Sequence, residues 1–175
     1  MDVQESTQAL KTALQMELDG KQFYLEFAEK AKVVLVRKLF LRLSEEEDVH
    51  YGKIRGIHTA LIDSQEWPDT GSAFWYDKSI KSVFREALEE THSGEIAAPA
   101  AELEGLDLAI KLEDKSYNFY RSRSETAVIP RERAFYEALA AEERGHYLAL
   151  VDSKEYLLDP EGWFSKKERW SLDGG

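Results

Sequence analysis

The chain of 175 residues contains no cysteine. Disulfides, zinc–thiolate sites, iron–sulfur clusters and thiol nucleophiles are therefore excluded together. Only four prolines occur, at 68, 99, 130 and 160, so long stretches of chain lack the residue that breaks helices. No apolar run approaches the roughly 20 residues needed to span a bilayer. The N-terminus, MDVQESTQAL, has neither the basic start nor the apolar stretch of a signal peptide, and a cytoplasmic location is expected. Basic residues are in deficit: 23 Lys and Arg face 34 Asp and Glu, a formal charge of −11. Phosphate binding needs clustered cations, so the charge argues against a nucleic-acid partner, and with no spanning stretch no membrane partner is expected. The acidic balance is compatible with drawing in metal cations. What remains, 43% hydrophobic and 33% charged residues, is the profile of one globular, core-bearing chain.

The feature that organises the sequence is an internal repeat. ALQMELDGKQFY at 13–24 aligns with AIKLEDKSYNFY at 109–120, and EEDVHY at 46–51 with EERGHY at 142–147. Glu17 and Glu113, Tyr24 and Tyr120, Glu47 and Glu143, and His50 and His146 are each 96 residues apart. Residues 6–31 are rich in Ala, Leu, Glu, Lys and Gln, which predicts a helix with Ser6 or Thr7 as its N-cap. In 34–63 the apolar positions Val36, Phe40, Leu43, Ile54, Ile57 and Leu61 fall on one helical stripe. The second unit repeats this at about 102–125 and 130–158, with Pro130 suited to a first helical turn. Two helical hairpins make an all-α four-helix bundle over 1–158, with units at about 6–63 and 102–158. The connection of about 64–101 is too long for an ordinary bundle loop. It fits a crossover, with a possible short helix at 79–92, that lets the second and third helices run parallel. Residues 159–175 form a tail that can add one more short helix.

The buried stripes carry residues that do not belong in a core. Glu47 and His50 interrupt the second helix's stripe, Glu143 and His146 that of the fourth, and Glu17 and Glu113 occupy core positions on the first and third. Glutamate is rarely buried unless paired. At about 5 Å and an effective dielectric near 20, each pair of carboxylates repels by about 3 kcal/mol. Two divalent cations neutralise four carboxylates, and the three-residue step from Glu to His puts both side chains on one face, a turn apart. One Glu from each of two helices plus Glu-x-x-His from each of the other two is the pattern of a carboxylate dimetal site. Oxygen ligands with one imidazole per metal suit iron or manganese, so two Fe ions are expected, with Mn or a mixed pair possible. Glu46 and Glu142 also repeat but leave their helices about 100° away, which predicts solvated side chains and makes them second choices as ligands. Tyr24 and Tyr120 share the face of their glutamates, either as plain core aromatics or as donors to a carboxylate on a facing helix. His58 and His92 lie off the stripe and are expected at the surface. Trp163, Phe164 and Trp170 are expected to anchor the tail. Trp67, Phe74, Trp75 and Tyr76 are expected in an exposed loop that docks a partner or a second subunit.

These motifs resemble the ferritin-like superfamily, and within it the rubrerythrin-like proteins, over about residues 5–158. The resemblance implies Glu17 and Glu113 as terminal ligands, Glu47 and Glu143 as bridges, and His50 and His146 one to each iron. It implies a non-haem di-iron oxidoreductase reacting with O₂ or H₂O₂; an iron-handling ferroxidase and a metal-holding structural bundle without turnover are the alternatives. Rubrerythrins carry a further Glu where this chain has Ser116, and a cysteine-rich rubredoxin domain that this chain lacks. The electron donor is therefore expected to be external, and the chain to act as a homodimer or higher homo-oligomer.

Overall fold

A computed structural model describes residues 3–69, 99–163 and 165. Among them are four long helices: α1 (Val3–Lys30), α2 (Val34–Ser64), α3 (Ala100–Thr126) and α4 (Pro130–Leu158). A further helical turn begins at Pro160. The short helix expected at 79–92 lies outside the described residues, as do Phe74, Trp75, Tyr76, His92 and Trp170, and the side chain of Phe164.

The ends of the helices show why they stop. Pro130 sits in the first turn of α4, where its missing N–H leaves no partner unmet. At the end of α2, Gln65 takes a left-handed conformation (φ 59°) and its N–H closes on Leu61 O at 3.0 Å. The start of α1 differs from the sequence reading. The helix begins earlier, and both expected caps lie inside it. Thr7 Oγ1 bonds back to Val3 O at 2.7 Å, while Ser6 Oγ is buried and donates to Glu132 of α4 at 3.0 Å. A hydroxyl inside a helix is tolerated when it finds an acceptor of this kind.

Two apolar clusters fill the bundle. One joins Tyr24 and Ala28 of α1, Leu35 to Leu43 of α2, Leu106 and Ala109 of α3, and Leu150 to Leu157 of α4. The other joins Ala9 to Ala13, Ile54 to Leu61, Tyr120, and Phe135 to Ala140. The start of α2 thus shares a cluster with the start of α3 and with the ends of α1 and α4. Hence α2 and α3 run parallel, and each hairpin is antiparallel. This is the all-α ferritin-like architecture that the resemblance implies. No described helix is long and apolar enough to cross a membrane.

Duplication shows in the turns. Arg37 Nη2 donates to Ala31 O at 2.7 Å, and Arg133 Nη2, 96 residues on, to Ala127 O at 2.9 Å. One clip is not duplicated. The buried carboxylate of Glu102, in the first turn of α3, accepts from Lys32 N–H at 2.6 Å and from Val33 N–H at 3.2 Å, the residue before the N-cap of α2 and the N-cap itself. These N–H groups have no partner within their own helix. Because the parallel helices start side by side, one hairpin caps the other. Glu102→Ala should cost about 1–2 kcal/mol of stability by the usual worth of such caps, whereas Glu104→Ala, at an exposed position, should change it by less than about 0.5 kcal/mol; urea unfolding of the two variants checks this.

Candidate metal centre

Between the two apolar clusters the core contains a polar layer. Glu17, Glu47, His50, Glu113, Glu143 and His146 are all buried there. Each helix contributes at the position where its apolar stripe meets this layer. Donor atoms of Glu17, Glu47, His50 and Glu143 lie within 4.8 Å of one another, and so do those of Glu47, Glu113, Glu143 and His146. The two groups share Glu47 and Glu143. Each histidine turns Nδ1 inward: His50 Nδ1 lies 3.2 Å from both Glu17 Oε2 and Glu143 Oε1, and His146 Nδ1 lies 3.6 Å from Glu113 Oε2 and 3.5 Å from Glu143 Oε2. The rings stack with centroids 5.6 Å apart.

The two tyrosines cross between hairpins. Tyr24 of α1 donates to Glu113 Oε1 of α3, and Tyr120 of α3 to Glu17 Oε1 of α1. Of the two roles open from sequence, the hydroxyls adopt the second. Both rings are fully buried, and burial beside carboxylates pushes both phenols well above their ordinary range, keeping them protonated donors.

Glu46 and Glu142 correct the sequence reading. They are not solvated. Glu46 is 8% exposed and its Oε2 lies 2.6 Å from His146 Nε2. Half-buried Glu142 places Oε2 2.5 Å from His50 Nε2. Each is held in turn by a cation on α2: Arg42 Nε is 2.7 Å from Glu46 Oε1, and Lys53 Nζ is 3.5 Å from Glu142 Oε2. The 100° step along one helix carries these carboxylates away from their own ligand position and onto the outer nitrogen of the histidine opposite. Their appearance in both repeats was the available signal. The missing information was the distance between hairpins.

Charge in this layer is divided unequally. Burial, then Glu17 and Glu143, push Glu47 well above the usual carboxylate range. Burial and Glu143 raise Glu113 to about 8, against the pull of His146. Burial also acts on Glu143, but hydrogen bonds from Glu113, His146 and His50 outweigh it and hold that carboxylate well below its ordinary value. For both histidines burial disfavours the charged ring, yet the surrounding carboxylates win and raise them well above 6.5. Without metal, the layer is thus balanced by protons on Glu47, Glu113 and both imidazoles.

The residues fit a pair of cations. Glu143 Oε1 and His146 Nδ1 are buried within the cluster, and their neighbours, His50 Nδ1 at 3.2 Å from the first and Glu143 Oε2 at 3.5 Å from the second, are not aligned for good hydrogen bonds. Such atoms are costly to enclose unless something coordinates them. The donor set, carboxylate oxygen with one imidazole on each side, suits Fe or Mn. A narrow cleft lined by Met16, Gly20, Tyr24, Leu112 and Ser116 reaches Glu47 and Glu113. A Cβ at Gly20 would lie 3.4 Å from the Glu47 carboxyl carbon, so the backbone of α1 passes close to that carboxylate. Ser116, where rubrerythrins carry a glutamate, is buried in the cleft wall and brings no carboxylate.

Other expectations fared differently. His58 is half-buried rather than on the surface. Trp67 is not part of an exposed docking loop: it is 4% exposed and packs against Phe135 and Tyr136. Directly after the C-cap of α2, its ring folds back over the end of the bundle. Trp163 is half-buried and meets Tyr156 edge-on at 5.6 Å.

A family model described as rubrerythrin matches residues 8–154. No curated protein and no solved structure matches. The family match spans both hairpins and all six buried Glu and His residues of the polar layer, and the chain belongs to the rubrerythrin family.

Proposed function

We propose that this protein is a non-haem di-iron oxidoreductase that reduces H₂O₂ or O₂ at the centre formed by Glu17, Glu47, His50, Glu113, Glu143 and His146. The observation that carries this reading is the pair of overlapping donor groups with Glu47 and Glu143 in common. Two metals held by these groups would both draw on Glu47 and Glu143. Glu17 and His50 then complete one metal's set, and Glu113 and His146 the other's. Iron would supply the chemistry a protein side chain cannot, one electron from each ion to the O–O bond.

The chain's own groups prepare this. Glu142, held ionised by His50 and Lys53, can only accept from His50 Nε2–H, which leaves Nδ1 as the inward lone pair. On the other side Glu46, with Arg42 Nε at 2.7 Å, lies against His146 Nε2. Tyr24 and Tyr120 fix the outer oxygens of Glu113 and Glu17 so that the other oxygen faces the metal. A small oxidant would approach Glu47 and Glu113 from the side lined by Gly20 and Ser116. With no cysteine in the sequence for an iron–sulfur or rubredoxin-type relay, electrons for a further cycle would come from an external donor.

Protein loaded with ferrous iron should hold close to two ions per chain and, mixed with H₂O₂, complete one oxidation and stall until a reductant is added. Near-ultraviolet absorbance and elemental analysis follow both steps. Sustained peroxide consumption without a donor, or a ferrous form inert to both oxidants, would overturn the proposal. Glu46→Ala and Glu142→Ala should each weaken metal affinity by about 10–100-fold, the usual effect of losing a carboxylate behind a ligating imidazole; metal-competition titrations against a chelator measure it.

Metal removal gives a pH signature. Glu47 and Glu113 have raised folded pKa values, so their contribution is full below the unfolded value of 4.5 and is lost as pH rises, through about 8 for Glu113. His50 and His146 are also raised, so theirs is full below 6.5 and is lost above it. Glu142 and Glu143 are depressed and contribute above 4.5, fading as acid reaches their folded values. The metal-free protein should therefore be most stable in mild acid and weaken toward pH 8. Bound metal replaces those protons and should abolish the alkaline loss. Thermal melts with and without chelator decide this, and metal-free protein as stable at pH 8 as in mild acid would contradict it.

A further inference from the structure

The two halves of the bundle differ in one respect that matters for electrons. Tyr120, hydrogen-bonded to Glu17, stacks on Tyr136 with ring centroids 6.1 Å apart. Tyr136 in turn lies 6.1 Å from Trp67. All three rings are buried, and Trp67, at 4% exposed, is the nearest to solvent. In the other half Tyr24, hydrogen-bonded to Glu113, meets Phe40 at 5.7 Å and Phe23 at 5.4 Å. Phe40 is the repeat equivalent of Tyr136, 96 residues earlier, and Trp67 and Trp163 stand in the same relation. Phenol and indole rings can give up one electron; a phenyl ring cannot do so under comparable conditions. One half thus has a continuous chain of oxidisable rings, and the other is interrupted at Phe40.

We infer that Tyr120, Tyr136 and Trp67 form a one-sided electron conduit between the metal centre and the surface. Its use arises when H₂O₂ meets a half-reduced metal pair. Cleaving the O–O bond to give two waters takes two electrons and two protons from solution. The remaining ferrous ion gives one electron and Tyr120 gives the other, its phenolic proton shifting along the existing hydrogen bond to Glu17. Tyr120 is refilled from Tyr136 and Tyr136 from Trp67, and each proton returns with the electron. Glu132, one turn before Tyr136 on α4, acts electrostatically on that phenol and has a buried oxygen without a hydrogen-bond partner, so it is the carboxylate that would take the Tyr136 proton meanwhile. The electron missing from Trp67 is replaced by a small one-electron donor of the ascorbate class. The path rests on ring geometry alone, while its oxidant rests on the function proposed above.

Two measurements separate path from oxidant. In metal-free protein carrying Trp163→Phe, which removes the Trp163–Tyr156 pair, laser photoionisation of indoles should give an indolyl radical that converts to phenoxyl in a concentration-independent step. That step should be lost on adding Trp67→Phe or Tyr136→Phe. Its persistence in both variants would overturn the conduit, whatever the metal chemistry. In half-reduced, iron-loaded protein mixed with H₂O₂ and freeze-quenched, electron paramagnetic resonance should show an organic radical. This signal should be lost in Tyr120→Phe and trapped as a phenoxyl in Tyr136→Phe. Oxidation of the ferrous ion with no radical in the wild type, or a radical that survives Tyr120→Phe, would overturn the proposed use while leaving the peroxide reaction standing.

Discussion

Four carboxylates enclosed in one slice of a helical core repel one another, and nothing apolar above or below that slice can relieve them. Leu43 and Leu139 lead into the layer from two helices and Ile54 and Leu150 lead out of it, yet the glutamates between them are as buried as these neighbours. Their charge has to be answered locally. Protons on Glu47, Glu113 and the two imidazoles answer it in one state, and on the function proposed above two divalent cations would answer it in the other. Metal binding is then an exchange of bound protons for bound cations within a cavity the fold has already shaped.

Everything around the layer serves to keep that exchange tidy. The tyrosines and the outer glutamates each reach from one hairpin to the other, so the centre cannot form in half of the molecule. Tyr24 and Tyr120 fix carboxylates, Glu46 and Glu142 fix imidazoles, and Arg42 and Lys53 hold the outer glutamates in place. The duplicated Arg37 and Arg133 turns set each hairpin's angle, and Glu102 fastens the parallel starts of α2 and α3. Where the repeat departs from itself, function has room to differ between halves. Gly20 faces Ser116 across the cleft, and Phe40 stands where the second half has Tyr136.

The stripe and the repeat made the four helices and the six inward ligand-type residues legible, because polar residues at core positions contradict their surroundings in the sequence itself. The parallel course of α2 and α3 followed from the length of the connection. Glu46 and Glu142 were misread because their role depends on the gap between hairpins, which the pitch of a single helix does not report. Ser6 failed as a cap for a similar reason: its acceptor, Glu132, is 126 residues away. Trp67 looked like loop because it follows α2 and precedes a proline, yet a ring placed directly after a helix end can fold back onto the bundle. In each case the missing fact was a long-range contact rather than a local preference.

The central claim is that two metals share Glu47 and Glu143, and it is met most directly by anomalous X-ray diffraction from crystals grown with ferrous iron. Two iron peaks between these two carboxylates are predicted, one within bonding distance of His50 Nδ1 and the other of His146 Nδ1. A single peak, or iron bound only at surface carboxylates while the buried layer stays protonated, would contradict the account.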